Sequence, residues 1–207
     1  MIDNPNLSDQ VQAYIRNSKD IVNDFYQVNF SYPVTLAKNT WEITKTGLLP
    51  WANSGIRKNI ILKIPGITQD QITHEMSHFA LRKITKGKLL PIWFDEGLAC
   101  YVSNMDFGGN FQHLKSAGFN RGMPYIIEWK GLSGKFFWLY EMYVNKNMAL
   151  IYGQSLHMMI YLLQKFTHTK LLQFINTLQD SEFDDSFSRI FGTTIENFYI
   201  DFLRTLK

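Results

Sequence analysis

Residues 68–102 read TQDQITHEMSHFALRKITKGKLLPIWFDEGLACYV, and the division of this stretch into elements decides the fold. Thr68 and Gln71, three apart, form a capping box, in which a hydroxyl and a side-chain amide satisfy each other's backbone N–H groups at a helix start. The helix they open is expected to run to about Thr85 and to close at Gly87. Pro91, which suits the first turn of a helix, opens a second one over about 92–103. Inside the first helix stands His74-Glu75-Met76-Ser77-His78, an H-E-x-x-H pattern. Histidines four apart are about 40° apart around a helix and one turn along it, so both imidazoles can meet one metal ion.

Toward the N-terminus, Ser8 precedes apolar residues at Val11, Tyr14, Ile15, Val22, Phe25 and Tyr26, a spacing that predicts a capped amphipathic helix over about 8–27. The texture then changes. PVTLAK (33–38), TWEIT (40–44) and NIILKI (59–64) are short, rich in β-branched residues and separated by Gly47, Pro50 and Asn53-Ser54-Gly55, which predicts a small sheet over 31–66. Toward the C-terminus, the glycine-rich stretch 105–134 reads as a long loop or lid. Helices are expected at about 136–145, 148–167, 169–179, 182–191 and 194–206, with Gly192 and a box Thr193-x-x-Glu196 at the last junction. The reading is a single α+β domain, 1–207, mostly α: an N-terminal helix (1–30), the small sheet (31–66), a helix pair (67–104), the lid, and a helical lobe (135–207).

Composition narrows the function. Twenty-one basic residues against 18 acidic ones leave a net charge of +3, too mild for a dedicated nucleic-acid binder, so no nucleic-acid partner is expected. Aromatic residues number 31 (16 Phe, 10 Tyr, 5 Trp) among 207, enough for a filled core without covalent support. Cys100 is the only cysteine, which forbids an internal disulfide and leaves the compartment open. The most apolar stretch, Phe136 to Leu163, is broken by Glu141, Asn145, Lys146, Asn147, Gln154 and His157, so no transmembrane segment is expected. MIDNPNLSDQ has no basic-then-apolar leader pattern. The chain as given reads as cytoplasmic, or as exported if a signal peptide was removed.

A catalytic zinc ion usually keeps three protein ligands and leaves a fourth position for water. The metzincin spacing would put Gly at 81 and His at 84. Leu81 and Ile84 stand there and exclude it. After seventeen intervening residues (79–95), His78 is followed by Glu96, a distance that lets one helix end, turn back and present an acid from the next.

HEMSH followed by WFDEGLACY resembles the gluzincin metallopeptidases of the peptidase MA-like group, related to the M1 peptidases: HExxH, a spacer close to this length, then a W-x-x-E-G-x-A-x-Y-like helix. The segments Tyr152-Gly153-Gln154-Ser155 through Leu163, Phe183 to Gly192 and Phe198 to Leu206 are similar to the helical tail of small M1-related domains. The resemblance implies a zincin-like catalytic domain in which His74, His78 and Glu96 bind Zn2+, and Glu75 is general base and acid in the hydrolysis of a peptide or protein substrate. It also implies that Tyr152, or failing it His157, donates to the oxyanion, and that residues 59–64 form an edge strand that pairs with substrate backbone. Asp95 stands where M1-type aminopeptidases carry Asn, and no G-x-M-E-N-like segment occurs, so exo- or endopeptidase specificity is open. The alternatives are a metal-binding but non-proteolytic peptide-binding or assembly module of the same fold, and a helical interaction domain in which HEMSH is coincidental.

Other features have plainer readings. Arg82, Lys83, Lys86 and Lys88 suit a helix C-terminus. Asp180, Glu182, Asp184 and Asp185 suit a helix start rather than a calcium loop, and Cys100 reads as a buried thiol. Trp93 and Phe94 read as core, as do Trp129, Phe136, Phe137 and Trp138.

Overall fold

The computed structural model describes residues 8–37, 60–63, 67–88, 90–105 and 148–205. In chain order these form α1 (Asp9–Tyr26), β1 (Val34–Ala37), β2 (Ile60–Lys63), α2 (Gln69–Ile84), α3 (Ile92–Ser103), α4 (Met148–Lys165), α5 (His168–Thr177), α6 (Phe183–Phe191) and α7 (Ile195–Arg204). The expected α+β class is overturned, because the described chain is helical in class, with seven helices. Its extended structure amounts to one parallel pair of four-residue strands, from Val34 opposite Ile60 to Ala37 opposite Lys63. Val, Thr and Ile favour extended backbone locally, but two short strands make no layer against which helices could pack. The stretch 40–44, the lid from 106 onward and the helix expected at 136–145 lie outside the described residues. No helix among the described residues is long and apolar enough to cross a membrane.

By their internal packing, the described residues up to Lys83, with Val102–Met105, form one compact unit, and 84–101 with 148–205 form another. In the first, Ser8 caps α1 by accepting from the Val11 N–H (3.4 Å). Beyond the end of α1, Asn23 folds the following chain back. Its amide donates to the Phe30 carbonyl (3.2 Å), and its oxygen accepts from the Phe30 N–H (3.1 Å) and the Tyr32 hydroxyl (2.8 Å). Tyr32 then meets Phe79 of α2 edge-on, and Lys83 lies 4.2 Å over the Phe30 ring. The capping box is formed: Gln71 Oε1 accepts from the Thr68 N–H (3.1 Å), and Thr68 Oγ1 accepts from the Gln71 N–H (3.3 Å).

The second unit begins at the turn after α2, where Lys86 and Gly87 are both left-handed (φ 54° and 79°). Consecutive positive φ reverses the chain within a few residues, and glycine takes that conformation without steric cost. Lys86 pairs with Asp180 (3.1 Å), and Lys88 donates to the Ser181 carbonyl (2.9 Å), which fastens this turn to the one between α5 and α6. On α3, Trp93 stacks on Phe198 of α7, and Phe94 meets Phe174 of α5 and Phe183 of α6 edge-on. Both side chains are fully buried. Edge-on and offset ring pairs of this kind contribute about 0.5–1.5 kcal/mol each beyond the area they bury. The first turn of α3 is thereby locked into an aromatic core. The acids 184 and 185 fall in the first turn of α6, as expected. The cap of α7 is Thr194, which accepts from the Asn197 N–H (3.2 Å), one residue later than the box expected at Thr193.

Candidate metal centre

α2 carries His74 and His78 one turn apart, each only 5% exposed. Their rings stand nearly perpendicular (85°), with centroids 4.7 Å apart, and the two Nε2 atoms are separated by 3.1 Å. Two nitrogens sharing one tetrahedral zinc at the usual bond length would be about 3.3 Å apart. The convergence of the rings therefore already matches, within a few tenths of an ångström, what a shared ion requires.

Glu96 lies in the first half of α3, 7% exposed. His74, His78 and Glu96 are side chains of the kinds that could hold a metal ion. Burying a carboxylate is costly unless a cation or strong hydrogen bonds offset it. Two neutral imidazoles and one carboxylate satisfy a divalent ion, and this donor set suits zinc. The donors present thus fit the metal that the sequence pattern implies.

Glu75 is half-buried on α2, between the two histidines in sequence. Tyr152 and His157 lie on α4, the first buried and the second half-buried. Five positions apart, they point about 140° away from each other around the helix, so they do not face one point together. Cys100, on α3, is fully buried, as its sequence neighbours suggest.

One residue of this region escaped the sequence reading. A Cβ placed on Gly97 would collide with the backbone carbonyl of Ser155. Glycine next to Glu96 thus lets α3 lie against α4 backbone to backbone, and the height at which α3 presents its carboxylate depends on that approach. The E-G pair in WFDEGLACY was visible, but a long-range backbone contact leaves no local trace.

A family model described as Peptidase MA superfamily matches residues 58–206, more than half of the chain. The span contains α2, α3 and all the helices after them. No curated protein and no solved structure matches the chain.

Proposed function

Since the chain belongs to the Peptidase MA superfamily, we propose that it is a zinc-dependent peptidase in which His74, His78 and Glu96 hold the metal and Glu75 is the general base and acid. The observation that carries this reading is the H-E-x-x-H helix inside the matched span, with its two Nε2 atoms converged to 3.1 Å. When bound, the ion supplies a Lewis acid that acidifies a water and polarises the scissile carbonyl. Glu75 takes the proton of the attacking water and returns it to the nitrogen of the departing amine, so one carboxylate serves both transfers. The substrate is a peptide or protein. Tyr152 is assigned as the donor to the developing oxyanion, a role worth about 2.7–4 kcal/mol where such a donor is well placed. A tyrosine that served only the core would leave kcat unchanged in Tyr152→Phe, and kcat is expected to fall with KM little moved.

The reading is tested by elemental analysis of the purified protein and of His78→Ala, followed by peptide-library hydrolysis with Glu75→Gln as the blank. About one zinc per chain is expected, as for a single three-ligand site, with loss in His78→Ala and retention in Glu75→Gln. Turnover is expected only in the wild type. Bound zinc without turnover of any peptide would favour the non-proteolytic module, and absence of zinc uptake would overturn the metal site altogether.

A further inference from the structure

α2 is fastened to α1 along a single polar stripe. Gln69, Thr73 and Ser77 recur every four residues on α2, as Ser18, Val22 and Tyr26 do on α1. At one level the Thr73 hydroxyl donates to Ser18 Oγ (2.8 Å), and the Ser18 hydroxyl donates to the Gln69 carbonyl (3.2 Å). One turn further along α2, Tyr26 Oη and Ser77 Oγ share a hydrogen bond of 2.8 Å. At the exposed end the Asn17 amide donates to Gln69 Oε1 (3.3 Å). Ser18, Thr73 and Ser77 are 1% exposed or less and Tyr26 is 4% exposed, with the fully buried Val22 between the two levels of α1. The pairing ascends both helices together, so α1 and α2 run in the same sense.

Apolar packing is non-directional and tolerates sliding and rotation, whereas a buried hydroxyl pair has one geometry and is costly to leave unmade. The two levels therefore fix α2 in axial position and in rotation. Thr73 immediately precedes His74, and Ser77 immediately precedes His78. Each imidazole thus leaves the helix one position, about 100°, on from a fastened hydroxyl.

We propose that this seam is a positioning device for the metal, with Tyr26 as its principal residue: the Tyr26–Ser77 bond fixes the rotation of α2 and with it the direction in which the converged His74 and His78 rings face. The proposal rests on the reading of those histidines as metal ligands. It assigns α1, which lies before the matched span, a part in building the site. Partners that orient metal ligands at second hand typically change affinity by about 10–100-fold when removed.

Zinc affinity, measured by competition with a chromophoric chelator, and the melting temperature of the metal-free protein are compared for wild type, Tyr26→Phe, Ser77→Ala and the double variant. Tyr26→Phe leaves the Ser77 hydroxyl buried without its partner, so both stability and affinity fall. The double variant removes both hydroxyls and melts closer to wild type, yet its zinc affinity stays at least about tenfold weaker because the remaining Ser18–Thr73 level does not hold the rotation alone. A double variant with wild-type affinity would overturn the proposal and leave the seam a stability feature only. Should a Tyr26 variant fail to fold, Ser77→Ala carries the same comparison with the same two outcomes. Wild-type protein that takes up no zinc, or His78→Ala that binds it undiminished, would instead refute the metal reading beneath it.

Discussion

Glu96 tests the third ligand at the level of one functional group. Glu96→Gln keeps the size of the side chain and removes its charge. Zinc affinity is expected to fall at least about tenfold, because an anionic oxygen ligand becomes a neutral amide. Chelator competition measures the loss, and an unchanged affinity would remove Glu96 from the ligand set. The residues of this site differ in how plainly the sequence displays them. His74, Glu75 and His78 are legible because the helix itself brings positions four apart to one face. Glu96, beyond a 17-residue spacer (79–95), has no such local rule, and only its resemblance to a known pattern singled it out. Tyr26 and Ser77 are 51 residues apart, and nothing in either neighbourhood announces that their hydroxyls meet.

At the level of elements, Gly97 is the tightest constraint on α3. In Gly97→Ala the added methyl meets the Ser155 carbonyl, which belongs to helix backbone and cannot swing aside. Overpacking of this kind costs about 1–3 kcal/mol. A lowered melting temperature is expected, along with weakened zinc binding through the displacement of neighbouring Glu96. Wild-type values for both would mean that the two helices separate freely. The helices themselves were readable from their ends. Ser8, Thr68 with Gln71, and Gly192 all mark real boundaries, because a cap satisfies orphan backbone groups within a few residues of itself. The strands expected within 33–38 and 59–64 were readable, but the α+β class inferred from them was not. Strand propensity reports a local preference, whereas a sheet needs partners, and among the described residues Val34–Ala37 and Ile60–Lys63 found only each other. The shift of the last cap from Thr193 to Thr194 shows the limit of motif spacing where two threonines adjoin.

Across the whole molecule, buried tyrosines set the response to alkali. Burial pushes the Tyr199 phenol up to about 12, against a smaller opposing effect of Gln154. Burial raises Tyr32 as well, in the unit that carries α2. An unfolded chain loses these protons near the ordinary value of about 10, so the folded state holds them more tightly. The stability they contribute is complete below about pH 10 and is lost as the pH rises through the folded value. Unfolding is therefore expected to set in above about pH 10, with a shallower decline between about pH 10 and 12 in Tyr199→Phe, followed by circular dichroism. An unchanged profile would show that Tyr199 ionises without unfolding.

The family match starts at residue 58, and α1 ends at Tyr26. A fragment cut at the family boundary would keep every proposed ligand and lose Ser18 and Tyr26. Thr73 and Ser77 would then turn from internal fastenings into wetted hydroxyls on a bare helix face. The segment that the family model matches thus omits one side of the α1–α2 seam. An excised 58–206 would be expected to aggregate or to take up zinc poorly, although every proposed ligand would be present.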